Sequence, residues 1–176
     1  WLTFDDGPDP IATPWILKIL QEKEIKATFF LIGKNMQEFP LLVQQILNEG
    51  HSIGNHSYSH MNGWKNKTKN YINDINKCQD LMPKNLLFRP PYGKITCCQI
   101  NKLKKIYNII LWDIMAYDFK KNITAYQIKK NILQNINKGS IVVLHNNQKS
   151  YKNLKPILSE VIDSIKDSGF KFSSTW

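Results

Sequence analysis

The sequence of 176 residues has a single arginine, three cysteines and no long apolar run. Because a membrane-spanning helix needs about 18 or more consecutive apolar residues, none is predicted. Cys97 and Cys98 are adjacent, which suits neither an ordinary disulfide between them nor the Cys-x-x-Cys spacing of a zinc site. We therefore assign no catalytic role to cysteine.

Lysine supplies almost all of the positive charge, because Arg89 is the only arginine in a chain with a formal net charge of +10. The lysines are scattered among asparagines and isoleucines, without a basic block or a nucleic-acid-binding motif. We interpret them as a solvated cationic surface and expect no nucleic-acid partner. Attraction to an acidic envelope polymer is the alternative.

Short apolar runs alternate with amphipathic helical patterns, which is typical of a parallel α/β domain. The predicted strands are 1–4, 27–32, 51–54, 86–88, 108–112, 140–144 and 170–172. The predicted helices are 13–24, 35–48, 68–82, 94–106, 124–137 and 152–168. The length and the apolar fraction of 42% predict a single domain over residues 1–176. Since the chain opens inside an apolar run, we expect the first strand to be truncated at its N-terminus.

Four short motifs place polar side chains after predicted strands. They are Thr3-Phe4-Asp5-Asp6-Gly7-Pro8, His56-Ser57-Tyr58-Ser59-His60, Arg89-Pro90-Pro91-Tyr92-Gly93 and Val143-Leu144-His145. Parallel α/β folds assemble their sites at the carboxyl ends of strands, so these side chains are expected to converge.

The acidic motif and the histidine pair support different interpretations when each is considered separately and when they are considered together. Alone, the Asp-Asp-Gly-Pro run is a turn sequence, and His145, after an apolar strand, is a packed residue. His56 and His60 are four residues apart, so on a helical turn both imidazoles would face one metal ion. Two histidines and one carboxylate form an open site, as catalytic zinc requires.

Taken together, the four motifs resemble the polysaccharide deacetylase family (NodB-homology domain, carbohydrate esterase family 4) from residue 1 to residue 145. The resemblance implies an α/β fold, a distorted and incompletely closed (β/α)7 barrel, which the seven predicted strands also suit. It implies a divalent metal held by Asp6, His56 and His60. Zn²⁺ is expected first, with Co²⁺ or another divalent ion as the alternative.

The resemblance leaves Asp5 free to act as the catalytic base. Arg89 would keep Asp5 ionised and oriented through a bidentate guanidinium–carboxylate pair, although stabilisation of a proline-flanked loop is the alternative role. Tyr92 is expected to stabilise the oxyanion through its backbone N–H. Pro91, with its neighbour Pro90, would rigidify that segment.

His145 matches the family's general acid, which protonates the leaving amine. Asp118 matches the carboxylate that supports this histidine, and Asp113 is a competing candidate. His51 does not share the spacing of the metal pair and lies at the start of a strand, so we interpret it as structural.

Three departures from the family pattern concern substrate specificity. Phe119 stands where tryptophan commonly follows the aspartate, Val143 replaces a leucine expected to line the acetyl pocket, and Asn146 follows the histidine where aspartate is frequent. Trp64 is a candidate for stacking on a sugar ring, with anchoring of its loop as the alternative.

We therefore expect a hydrolase that removes N-acetyl groups from amino sugars of a polysaccharide, either chitin oligomers or peptidoglycan. O-deacetylation of acetylated xylan or a similar polymer is the nearest alternative. A non-catalytic carbohydrate-binding relative is the alternative from another class. The resemblance also implies an extracytoplasmic location, in the cell envelope or secreted, and we expect a monomer.

Overall fold

The structure is a computed structural model that describes residues 1–83 and 86–176. It contains a sheet of seven strands. The strands are Leu2–Asp6 (β1), Thr28–Leu31 (β2), Ser52–Asn55 (β3), Leu87–Phe88 (β4), Asn108–Ile109 (β5), Ile114–Met115 (β6) and Val142–His145 (β7).

The strand order is β5-β4-β3-β2-β1-β7-β6, and every pairing is parallel. Within the described residues, β5 and β6 form the two edges and do not pair, so the curled sheet stays open. This is the incompletely closed α/β barrel that the sequence predicts. Strand β1 lies between β2 and β7. Its Asp5 is opposite His145 of β7, and its Asp6 is opposite Leu31 of β2.

Eight α-helices in the described part of the chain surround the sheet. They are Ala12–Glu22 (α1), Gly33–Glu38 (α2), Pro40–Asn48 (α3), Thr68–Gln79 (α4), Cys97–Leu103 (α5), Ala125–Leu133 (α6), Gln148–Leu154 (α7) and Leu158–Asp167 (α8). Across the same residues, no helix has the length and apolar character needed to cross a membrane.

Two helices predicted as continuous are each divided in the structure. Residues 35–48 form α2 and α3, because Pro40 has no N–H to donate to the preceding turn and instead begins α3. Residues 152–168 are divided between α7 and α8, with Pro156 in the break. Gly50 and Gly169 follow α3 and α8 at positive φ, as the predicted helix stops require.

The predicted strand 170–172 is wrong. These residues have no regular secondary structure, although Phe170 and Phe172 pack against the hydrophobic core. Apolar and charged residues alternate in this segment because only one of its sides packs against the core, and not because it forms a strand. The seventh strand is instead β6, which is too short to produce a period-two pattern.

The two faces of β1 have different chemistry because successive side chains of a strand point to opposite sides. Leu2 and Phe4 are fully buried in the core between sheet and helices. Thr3 and Asp5 point to the other face and are also buried. The interior of the half-barrel therefore carries polar groups that need partners, and these partners form the site.

Candidate metal centre and active site

Asp6, His56 and His60 come together at the carboxyl ends of β1 and β3. Asp6 Oδ1 lies 3.7 Å from His56 Nε2 and 3.3 Å from His60 Nε2, and one ligand atom from each of the three residues lies within 4.8 Å of the others. Ligands about 2.1 Å from a tetrahedral zinc ion stand about 3.4 Å apart. The three residues therefore fit a divalent metal ion.

The second nitrogen of each imidazole is already engaged. His56 Nδ1 is 2.8 Å from the carbonyl oxygen of Arg89, and His60 Nδ1 is 3.1 Å from the Tyr92 hydroxyl. Such contacts hold a metal-binding histidine in one ring orientation. Here they turn both Nε2 atoms towards Asp6.

The histidines do not lie on a helical turn, so that part of the prediction is wrong. Residues 56–60 form an irregular bend in which Ser57 and His60 have φ values of 59° and 56°. The Ser57 N–H donates to Asn55 Oδ1, and the N–H groups of residues 58 and 59 donate to Asp74 Oδ2. These side-chain acceptors hold the bend, which places both imidazoles on one side without a helix.

Both imidazoles favour their neutral form. Burial lowers the pKa of His56 to about 3, and burial also lowers the pKa of His60. The nearby Asp6 carboxylate opposes both shifts but does not overcome them. Neutral imidazole is the form that binds a metal. Because the Arg89 carbonyl can only accept, neutral His56 carries its proton on Nδ1 and presents a lone pair on Nε2.

Arg89 is completely buried behind this cluster. Its Nη1 donates to Asp5 Oδ1 and to Thr3 Oγ1, both at 2.7 Å. Its Nη2 donates to the Leu111 carbonyl at 3.0 Å, and its Nε donates to the Ile110 carbonyl at 3.3 Å. The predicted bidentate pair with Asp5 is therefore a single hydrogen bond, because the rest of the guanidinium binds the backbone after β5.

The two neighbouring aspartates have different surroundings. Asp5 Oδ2 is not used by Arg89 and lies 3.9 Å from His56 Nε2, beside the cluster of Asp6, His56 and His60. Asp6 has a φ of 80°, and its carbonyl accepts a hydrogen bond from Asn35 Nδ2 at 2.8 Å. Its Oδ2 accepts another from Asn147 Nδ2 at 2.8 Å. Asp6 therefore directs Oδ1 at both histidines. Asp5 lies next to this cluster, with its Oδ2 nearer to His56 and not bonded to Arg89.

His145 and Asp118 form a doubly connected pair. His145 Nδ1 is 2.8 Å from Asp118 Oδ1, and the His145 backbone N–H donates to Asp118 Oδ2 at 2.8 Å. Asp118 follows β6, a strand that the sequence analysis did not predict. The competing Asp113 is exposed and accepts instead from the Ile141 N–H.

This pair keeps the His145 imidazole protonated. Burial alone would lower its pKa, but the hydrogen bond and charge of Asp118, with the charges of Asp5 and Asp6, raise the pKa to about 9. A buried imidazolium beside a fully buried carboxylate can donate a proton from Nε2, because Nδ1 is held by Asp118.

A cavity of about 420 Å³ connects these groups. Its walls are formed by Asp5, Asp6, His56, His60, Tyr92, Trp112, Met115, Phe119, His145, Asn147 and Lys149. Phe119 contacts the His145 ring edge-on, with centroids 4.9 Å apart. Val143 is fully buried in β7 and is not among the residues that line the cavity.

Tyr92 lies at the cavity mouth in a left-handed conformation, with φ 61° and ψ 7°. In the adjoining turn, the N–H groups of Gly93 and Lys94 donate to the carbonyls of Pro90 and Pro91. The Tyr92 N–H takes no part in these two hydrogen bonds. Pro91 is buried beneath this turn.

Two other residues lie away from this cluster. Trp64 is 64% exposed and does not line the cavity, and its Nε1 donates to the Ile95 carbonyl at 3.1 Å. His51 lies directly before β3, and its Nδ1 accepts a hydrogen bond from the Ala27 N–H.

Sequence reasoning missed four residues that line the cavity: Trp112, Met115, Asn147 and Lys149. Of these, Asn147 stands two residues after His145 and just before α7, which begins four residues earlier than the predicted helix 152–168. An asparagine in that position predicts a helix N-cap, which it is.

Comparison with known proteins agrees with this geometry. The family model described as "Polysaccharide deacetylase" matches residues 1–107. The chain is 38% identical over 180 residues to a peptidoglycan-N-acetylglucosamine deacetylase of Bacillus cereus, covering 97% of this chain and 64% of that protein. It is 34% identical over 152 residues to the chitooligosaccharide deacetylase of Azorhizobium caulinodans, covering 82% of this chain and 72% of that protein.

A solved structure shares the whole architecture. The crystal structure of the Bc1960 peptidoglycan N-acetylglucosamine deacetylase matches with a TM-score of 0.92 and 36% identity, covering 98% of this chain and 83% of that one. The open barrel is thus that of a class of hydrolases that act on polysaccharides. The chain belongs to the polysaccharide deacetylase family, which confirms the resemblance and the fold class.

Proposed function

We propose that this chain removes N-acetyl groups from amino sugars of a polysaccharide, either peptidoglycan or chitin oligomers, by metal-dependent hydrolysis. The observation that carries the proposal is the content of one cavity. Its walls carry the cluster of Asp6, His56 and His60, the buried carboxylate of Asp5 beside that cluster, and His145, whose Nδ1 lies 2.8 Å from Asp118 Oδ1. The names of the relatives in B. cereus and A. caulinodans support this substrate class.

Asp6, His56 and His60 would hold the metal, with Zn²⁺ as the first candidate and Co²⁺ or another divalent ion as the alternative. A divalent ion there would polarise the acetyl carbonyl and lower the pKa of the attacking water. Two histidines and one carboxylate leave coordination positions open for both the acetyl carbonyl oxygen and the water.

Asp5 would accept a proton from the attacking water through Oδ2, since Oδ1 is held by Arg89. His145 would then donate its Nε2 proton to the amine of the sugar as the carbon–nitrogen bond breaks. The Tyr92 N–H would stabilise the negative charge on the former carbonyl oxygen. One water and one acetamido group thus give acetate and a free amine.

Acetate release across a panel tests this proposal, with zinc-loaded protein and chitin oligomers, peptidoglycan and acetylated xylan as substrates. We expect acetate with an equal amount of free amine from one of the first two. Acetate without amine, from xylan alone, would replace the proposal by O-deacetylation. No acetate from any substrate, with retained binding of an oligosaccharide, would favour the non-catalytic carbohydrate-binding alternative.

The setting of the reaction follows from the same relatives. Because they act on peptidoglycan or chitooligosaccharide by name, we propose an extracytoplasmic location, in the cell envelope or secreted. The single domain over residues 1–176 and the monomeric state stay predictions, which light scattering on the purified chain can test.

A further inference from the structure

The metal ligand Asp6 is contacted by an asparagine to which neither the sequence motifs nor the proposed chemistry gives a role. Asn147 Nδ2 lies 2.8 Å from Asp6 Oδ2. The other oxygen, Oδ1, is the one that faces both histidines, at 3.7 and 3.3 Å. The two oxygens of this carboxylate therefore have separate partners.

The orientation of the Asn147 amide is determined by a second contact. Its Oδ1 accepts the Ser150 N–H at 2.9 Å and so caps the N-terminus of α7. Since that N–H can only donate, the atom that accepts it must be the amide oxygen, and the atom facing Asp6 must be the NH₂ group. The contact with Asp6 is thus a donated hydrogen bond, not an ambiguous amide assignment.

The backbone of Asp6 is held by a separate contact. Its carbonyl accepts from Asn35 Nδ2 at 2.8 Å, and the residue has a φ of 80°. With the main chain held in this way, the remaining freedom of Asp6 is rotation of its carboxylate. The hydrogen bond from Asn147 is the contact that restrains that rotation.

We propose that Asn147 is a positioning residue for Asp6: by engaging Oδ2 it keeps Oδ1 directed at the two histidines, where Asp6 would help to hold the metal. This inference rests on the proposed metal site. A neutral amide donor suits the task, because it engages Oδ2 without neutralising the carboxylate charge that the metal needs. Partners of this kind typically change metal affinity 10- to 100-fold when removed.

Zinc affinity of the purified chain tests the proposal, measured by competition with a chromophoric chelator and without any substrate. Asn147→Ser keeps an oxygen that can cap α7, but its shorter side chain cannot also reach Asp6. We expect Asn147→Ser to bind Zn²⁺ about 10- to 100-fold more weakly than the wild type, with a melting temperature of the metal-free protein close to the wild-type value. Asn147→Ala should lose the same affinity and also some stability.

A matched control separates the loss of a helix cap from the loss of the donor. Thr124 caps α6 through the same kind of bond, to the N–H of Gln127, and does not line the cavity. Thr124→Ala should lower the melting temperature and leave the zinc affinity unchanged.

Wild-type zinc affinity in Asn147→Ser would overturn the inference, as would an equal loss of affinity in Thr124→Ala. Failure of the wild type itself to bind zinc would instead overturn the metal site, and with it the proposed function.

Discussion

Replacing Arg89 by lysine tests whether the guanidinium orients the proposed base. The guanidinium is completely buried and donates four hydrogen bonds, of which two bind the carbonyls of residues 110 and 111. A lysine ammonium at the same place keeps the charge and can still reach Asp5. It cannot also span both carbonyls, because it lacks the planar fork.

The expected size of the effect follows from those contacts. Two lost hydrogen bonds at about 1 kcal/mol each lower the free energy of unfolding by about 2 kcal/mol. For a chain of this length, that corresponds to a fall in melting temperature of about 4–8 °C. The lysine ammonium can bond to Asp5 but is not itself anchored by the two carbonyls, so it fixes the orientation of Asp5 less well. A misplaced catalytic group costs up to about 100-fold in rate. We therefore expect kcat to fall about 10- to 100-fold while zinc content stays the same.

The assay combines acetate release, thermal unfolding and zinc content on the same preparation, with Thr3→Val as the control. That variant removes two hydrogen bonds of the Thr3 hydroxyl, one accepted from Arg89 Nη1 and one donated to the Val142 carbonyl, and keeps the bond to Asp5. It should cost about 2 kcal/mol, as Arg89→Lys does, with kcat nearly unchanged. Wild-type turnover in Arg89→Lys would refute the reasoning. An equal loss of kcat in Thr3→Val would show that the rate follows stability rather than the orientation of Asp5.

Four further outcomes are expected. His60→Ala should lose both bound zinc and acetate release; full zinc occupancy with normal turnover would contradict the ligand set. Asp5→Asn should keep its zinc and lose about 10²–10⁴-fold in kcat; loss of zinc instead would mean that the two aspartates exchange roles. His145→Ala should impair acetamido sugars more than activated acetyl esters, whose leaving groups need little protonation; equal losses would leave His145 a role in cavity shape alone. In the metal-free protein, protonated His145 should add stability that is complete below about pH 6.5 and lost as the pH rises through its folded pKa of about 9. This amounts to roughly 3 kcal/mol, and unfolding curves of Asp118→Asn should lack the part that Asp118 contributes.

The positions of the proposed catalytic and metal-binding groups follow from the sequence more closely than their local geometry does. Asp5, Asp6, His56, Arg89 and His145 stand at or directly after strands, as predicted, because apolar runs that form buried strands end abruptly at polar residues. Parallel pairing then gathers all of these ends at one edge. Predicting this part of the site therefore requires only the order of the strands along the chain.

Local geometry depends on contacts that no short pattern encodes. The bend at His56 and His60 depends on Asp74, in α4, as an acceptor. The single bond between Arg89 and Asp5 depends on carbonyls that follow β5. Short strands such as β6 arise from pairing with a neighbour rather than from their own sequence.

The strand order has a consequence for synthesis of the chain. Strand β1 is made before the other six described strands, yet one of its neighbours is β7, with Leu2 paired to Val142. At about 5–20 residues per second, the ribosome needs roughly 7 to 28 s to add the intervening 140 residues. During that interval one edge of β1 has no native neighbour, and unpaired strand edges promote aggregation. A lower expression level, which reduces the number of unfinished chains that are present together, should therefore raise the fraction of protein that folds.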